Sequence, residues 1–288
     1  MSRWLSSAST DTGLLREHNE DRYWIDAERG VFLVVDGVGG QAAGDLAAQT
    51  AVEAIRESVF GEGGAEERVR SAIACANNRI FELSQQDPQL AGMGCVLTLA
   101  VLEGDQLTVG HVGDTRLYLV WNGIIRKLTS DHSPVGEGED SGELTELEAM
   151  LHPRRNEVFR DVGSRPHAAQ DEDFIEIRQC RFRPDAALLL CTDGLTDHLT
   201  STEVREIAET YDGDPARVTA ALVEAANDAG GKDNITALFV AGREFRGARN
   251  ETGRPGGLPR WLTGRMAFLT YGLLLGMLLW AVLHAGKG

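Results

Sequence analysis

The chain is 288 residues long and carries 44 Asp or Glu against 28 Lys or Arg, a formal net charge of −16. Nothing in this composition points to a fibre or a disordered chain, and so acidic a surface argues against a nucleic-acid partner, because phosphate backbones attract basic surfaces. Cys75, Cys95, Cys180 and Cys191 stand far apart with no CxxC pair, which suggests neither a zinc cluster nor a disulfide framework.

Taken in chain order, the opening MSRWLSSAST has no apolar core of signal-peptide length, so the main domain is expected to stay in the cytoplasm. Cys95 and Cys191 sit inside apolar runs, as small buried residues of a reducing compartment do. The string GLLREHNEDRY then places Arg16, Asn19, Glu20 and Asp21 ahead of a first strand at Val31–Val35. Apolar residues at helical spacing predict amphipathic helices over Leu46–Phe60 and Glu66–Leu83. Strands at Val96–Leu102, Leu107–Val109 and Arg116–Val120 follow with connections short enough for antiparallel hairpins. Phe174–Ile177 and Ala187–Cys191 read as further strands. Two helices come next, Thr202–Glu209 starting from Ser201, and Pro215–Asp228 with its proline just inside the start. Ile235–Val240 is the last strand. The order is no regular βαβα alternation, so the expected class is α+β, with helices covering the outer faces of mostly antiparallel sheets.

This domain is expected to span 1–242. Residues 243–265 include RNETGRPGGLPR, rich in Gly, Pro and Arg, and read as a linker. Residues 266–284, MAFLTYGLLLGMLLWAVLH, contain no carboxylate, Arg or Lys and meet the length of a transmembrane helix. Arg243, Arg246, Arg249, Arg254, Arg260 and Arg265 precede it and only Lys287 follows, which places its N-terminal side in the cytoplasm. The expectation is a single-pass C-terminal membrane anchor.

Three aspartates sit just after apolar strands and just before glycine or a turn: Asp36 in VVDGVGG, Asp114 in HVGDTR and Asp193 in LLLCTDGL. A fourth, Asp233, stands in GGKDNIT immediately before the last strand. Strand ends hold side chains at fixed separation, and glycine lets a ligand approach the backbone. Four carboxylates brought together repel one another unless cations neutralise them, and an all-oxygen set favours Mg²⁺ or Mn²⁺ over Zn²⁺. Beside such a centre Arg16 can grip a phosphate with its planar fork, and Glu20 can hold a water on a metal.

The motifs GLLREHNEDRY, VVDGVGGQAAG, GMGCVLTL, VGHVGDTRLYLV, LTSDHS, HPRRNEVFRDVG, LLLCTDGLTD and GGKDNITALFV occur in this order over nearly all of 1–242. In them the chain resembles the metal-dependent, type 2C serine/threonine protein phosphatases, particularly their compact bacterial members. The resemblance implies a β-sandwich of two antiparallel sheets flanked by helices, with a centre of two Mn²⁺ or Mg²⁺ ions in a cleft at one end. It implies that Asp36 bridges both ions, that the Gly37 carbonyl binds one, and that Asp193 and Asp233 bind the other. Glu20 is expected to act through water, Arg16 to bind substrate phosphate, and Asp114 with Asp193 to form a weaker third metal site. The segment from about Ser133 to Arg165 corresponds to the family's mobile flap. The reaction implied is attack on phosphorus by a metal-activated water, in line with the Ser or Thr leaving oxygen.

Two features depart from the family pattern. Animal and plant members often carry a histidine two residues after the bridging aspartate, where this chain has Val38, and Cys95-Val96 replaces two threonines. The second departure reads as a core-facing change. His111 lies within a strand and reads as structural, while His132 follows the LTxDHS pattern near the flap. Two other readings stand beside the enzyme: a pseudophosphatase that binds phosphoproteins without turnover, and an unrelated dimetal hydrolase. The retained carboxylates disfavour the first and the ordered motifs the second. The anchor suggests a membrane-bound phosphoprotein as substrate, such as a receptor-type Ser/Thr kinase and its targets.

Overall fold

A computed structural model describes residues 4–39 and 42–247. Among these described residues ten strands form two five-stranded sheets, and every pairing is antiparallel. One sheet runs β1 (Leu5–Asp11), β10 (Ile235–Ala241), β9 (Ala187–Cys191), β6 (Arg116–Trp121), β7 (Ile124–Lys127). The other runs β2 (Arg22–Asp26), β3 (Val31–Val38), β4 (Gly94–Glu103), β5 (Gln106–Val112), β8 (Glu176–Arg181).

Side-chain alternation divides the apolar residues of the second sheet between two layers. Phe32, Val34, Ala100 and Leu102 face the first sheet and meet Leu188, Leu190, Leu238 and Val240. Val31, Leu33, Val35, Leu97 and Leu99 face outward, where α1 (Ala42–Ser58) and α2 (Ala65–Gln86) cover them with Ala51, Ile55, Val69 and Ile73. Each large side chain so buried contributes roughly 1.5–3 kcal/mol. Gly110 lets α2 approach, since a Cβ there would lie 2.4 Å from Val69 Cγ1 and 2.6 Å from Ile73 Cδ1. On the far side α7 (Pro215–Asp228) packs along β1 and β10, and α6 (Ser201–Ala208) beside β7. This is the expected α+β sandwich.

Several boundaries differ from expectation. β1, β2 and β7 fall outside the expected strands: β2 (RYWID) and β7 (IIRK) are short, and β1 (LSSASTD) is held by its ladder to β10, from Leu5 opposite Ala241 to Asp11 opposite Ile235. Phe174 and Ile175 belong to the buried layer under α2, and β8 begins only at Glu176. The N-cap of α6 is Thr200, not Ser201, because Thr200 and Glu203 form a reciprocal capping box. Among the described residues no helix is long and apolar enough to cross a membrane. The expected span at 266–284, the linker from residue 248 onward and Gly40 lie outside the described residues.

Candidate active site

Parity along β3 decides where its aspartate points. Phe32 and Val34 face into the sandwich, so Asp36 does too, but at the open end where the strand runs out. Gly37 must be glycine, because a Cβ would lie 2.4 Å from the Gly44 carbonyl at the start of α1. Asp114 stands in the turn between β5 and β6, and Asp193 is the first residue of α5 (Asp193–Thr196), entered directly from β9. Asp233 comes from the loop before β10, which packs so closely on α5 that a Cβ on Gly194 would sit 2.0 Å from the Asn234 carbonyl.

These elements converge on one cleft of about 210 Å³, and Arg16, Glu20, Asp36, Gly37, Asp114, Asp193 and Asp233 all line it. Every site residue expected from the sequence is therefore brought together. Val96 also lines the cleft, paired across the ladder from Asp36, so only Cys95 is the core-facing half of that departure. The Arg16 loop is stitched in place by Asn234, whose Nδ2 donates to the carbonyls of Thr12 and His18 while its Oδ1 accepts from Glu20 N–H. Arg16 Nη2 donates to Asp233 Oδ2 at 2.7 Å, and Asp233 Oδ1 accepts from Asn234 N–H at 2.8 Å.

The electrostatics fit a cation site. Burial, with Asp21, Asp193 and Asp114 nearby, holds Asp36 well above the ordinary carboxylate range, and burial with Asp114 does the same for Asp193. Burial and then Asp131 push Asp114 up to about 7, and burial raises Glu20. Sequence reasoning gave Asp21 no role of its own. It is 1% exposed, and its Oδ2 accepts from the hydroxyls of Thr192 at 2.8 Å and Thr236 at 2.7 Å. Its Oδ1 is buried with no hydrogen-bond partner, a further orphaned oxygen beneath the cluster. Its signal in the sequence was only its place beside Glu20. The donors are all oxygens and all acidic or carbonyl, which suits hard divalent ions.

Among the described residues a tighter group of potential ligands is His111, His132 and Glu176. It is not a good metal site. His111 Nε2 faces the carbonyls of Gly113 at 2.9 Å and Ser130 at 3.1 Å and so carries the proton, while Nδ1 accepts from Thr98 Oγ1 at 2.9 Å. His132 Nδ1 accepts from Gly113 N–H at 3.0 Å. Burial lowers His111, and burial followed by His111 lowers His132 to about 3, so both rings are neutral parts of the scaffold behind the Asp114 turn.

Residues 16–237 match the family model described as protein phosphatase 2C. The serine/threonine phosphatase stp of Listeria monocytogenes is 33% identical over 240 residues, which are 80% of this chain and 93% of that protein. The crystal structure of the Mycobacterium tuberculosis serine/threonine phosphatase PstP/Ppp superposes with a TM-score of 0.73 at 29% identity, covering 83% of this chain and 98% of that one. The catalytic domain of PstP in complex with two manganese ions superposes with a TM-score of 0.71 at 28% identity, over 83% and 97% of the two chains.

Proposed function

Because this chain belongs to the protein phosphatase 2C family, as a protein-serine/threonine phosphatase with a dinuclear Mn/Mg centre, we propose specific roles for its cleft residues and a membrane address for the whole. Asp36 would serve both ions, with the Gly37 carbonyl beside it on one. Asp193 and Asp233 would hold the other, Glu20 would act through water, and Asp114 with Asp193 would offer a weaker third position. The observation that carries this reading is the convergence of all these groups, with Arg16, on one cleft.

When bound, the ions supply Lewis acidity to the phosphoryl oxygens and lower the pKa of the attacking water. The protein's own residues do the rest. Arg16, half exposed at the cleft mouth, swings from Asp233 to the phosphoryl oxygens and fixes the phosphorus for in-line attack. Asp21, Thr192 and Thr236 form a rigid floor that keeps the carboxylates in register. No histidine lines the cleft among the described residues, so the proton for the departing Ser or Thr oxygen comes from water within it. Hydrolysis of a phosphothreonine peptide by the full chain, with Mn²⁺ or with chelator and alongside Asp193→Asn, tests the assignment. Metal-dependent phosphate release that the substitution abolishes is expected; metal binding without turnover on several peptides would instead favour the pseudophosphatase.

We also propose that residues 266–284 anchor the catalytic domain to the cytoplasmic face of a membrane, where its substrates are membrane-bound phosphoproteins, including Ser/Thr kinases and their targets. The uncharged apolar run and the six arginines before it support this. The full chain should sediment with membranes after a carbonate wash and a chain ending at residue 247 should not; recovery of both in the soluble fraction would end the anchoring proposal.

A further inference from the structure

Asp193 and Asp233, the pair assigned to one ion, come from elements far apart in sequence, so their separation depends on how those elements are joined. Asp193 opens α5, and its carbonyl accepts from Asp197 N–H at 2.7 Å. The Leu195 carbonyl accepts from His198 N–H at 3.2 Å and from Leu199 N–H at 3.0 Å. Leu195 and Leu199 are buried, so His198 keeps a fixed place relative to Asp193. Asp233 follows a glycine turn between α7 and β10. In that turn Gly231 N–H donates to the Ala226 carbonyl at 3.1 Å, and the Gly231 carbonyl accepts from Leu14 N–H at 2.7 Å.

The two elements meet at both neighbours of Asp233. After it, the Asn234 carbonyl lies so close to Gly194 that a Cβ has no room. Before it, Lys232 N–H donates to His198 Nε2 at 3.1 Å. The same imidazole packs on Gly230, where a Cβ would come within 3.2 Å of His198 Cε1 and where φ is +143°. An acceptor at Nε2 requires the neutral ring with its proton on Nδ1. Burial lowers the pKa of His198, which keeps the ring in that form near neutral pH. The preceding residue is engaged by a different segment: beyond the short flap helices α3 (Pro134–Ser141) and α4 (Glu146–Met150), Arg155 Nε donates to Asp197 Oδ2 at 2.8 Å. His198 does not line the cleft, so its effect on the centre passes through the Lys232 backbone to Asp233.

We propose that His198 is a positioning residue for the metal centre: by accepting from the Lys232 amide it holds the Asp233 carboxylate at the separation from Asp193 that one divalent ion requires. This rests on the assignment of Asp193 and Asp233 to the same ion. Outer partners of this kind set metal affinity by fixing where a ligand can stand. Lys232 is exposed, so water can take its amide when the imidazole is gone, and the loss falls on the placement of Asp233 and not on the stability of the fold.

The experiment measures Mn²⁺ binding by calorimetry and the melting temperature in chelator for the full chain and for His198→Leu, His198→Gln and Asp233→Ala. His198→Leu keeps the bulk and loses the acceptor, whereas His198→Gln can present an amide oxygen to Lys232. Mn²⁺ affinity should fall about three- to tenfold in His198→Leu, the worth of one hydrogen bond, and return to within about twofold of wild type in His198→Gln. The melting temperature in chelator should not change in either. An unchanged affinity in His198→Leu, no rescue by His198→Gln, or a melting temperature that falls in step with the affinity overturns the proposal. If His198→Leu does not fold, the ring nitrogens of the unsubstituted chain decide the matter by NMR near pH 7. A bare Nε2 with a proton on Nδ1 is expected, and a proton on Nε2 overturns the proposal. Equal Mn²⁺ binding by wild type and Asp233→Ala would instead overturn the ligand assignment on which it rests.

Discussion

Asp21→Asn removes one negative charge from beneath the cleft while keeping an oxygen for the hydroxyls of Thr192 and Thr236. Burial pushes the Asp21 carboxyl up to about 7 from an ordinary 3.8, a difference of roughly 3 pH units and so about 4 kcal/mol between its protonation states. The folded value lies above the unfolded one, so the unfolded chain gives up this proton first as pH rises. The associated stability is therefore complete below about pH 4 and is lost as pH climbs through about 7. Integrated from pH 5 to pH 8, chelated wild-type protein should lose about 3 kcal/mol relative to chelated Asp21→Asn. The buried histidines His111 and His132 have lowered values and shift stability in the opposite sense, but equally in both proteins, so the difference reports Asp21 together with its push on Asp36 and Asp193. Urea midpoints of both proteins in chelator at the two pH values give the number. Saturating Mn²⁺ at pH 8 should erase the wild-type penalty, because cations then neutralise the cluster. A difference between the two proteins that stays constant within about 0.5 kcal/mol from pH 5 to pH 8 would refute the reasoning.

Two further outcomes follow from the same geometry. Gly194→Ala forces a Cβ to within 2.0 Å of the Asn234 carbonyl and should cost about 3 kcal/mol in thermal denaturation, with activity falling as the Asp193 and Asp233 loops separate. Arg16→Lys keeps the charge but loses the fork, and steady-state kinetics should show KM for a phosphothreonine peptide rising about tenfold at an unchanged melting temperature.

Much of the site was legible because its residues lie where apolar strands end. VVDGVGG and LLLCTDGL announce both the strand and the turn that follows, although Asp193 proved to open a helical turn rather than a loop. Asp21 was hidden because its importance comes from Thr192 and Thr236, far along the chain, which no local pattern connects to it. Asn234 was in plain sight beside Asp233, but its work is to join two loops. β1 escaped because its own Ser and Thr carry no apolar pattern: Ser6, Ser7 and Ser9 stand opposite Val240, Phe239 and Ala237 of β10, and Thr10 bonds Thr236 at 2.8 Å. The flap helices are short and carry acidic residues and glycine instead of an apolar stripe, so tertiary ties such as Glu146 to Ser201 determine where they lie.

Both oxygens of Asp233 are already in use, one by Arg16 and one by the Asn234 amide. Each oxygen keeps a second lone pair, so an ion in the proposed role would join it without breaking a bond, but the ion's charge would repel the guanidinium of Arg16, the more exposed partner. Arrival of the ion then frees the guanidinium for phosphate, and a phosphate that draws Arg16 away frees the carboxylate for the ion. Thermodynamic reciprocity requires each to strengthen the other's binding by the same factor. In those proposed roles the hydrogen bond between Arg16 and Asp233 would act as a shared lock that makes the two ligands favour each other.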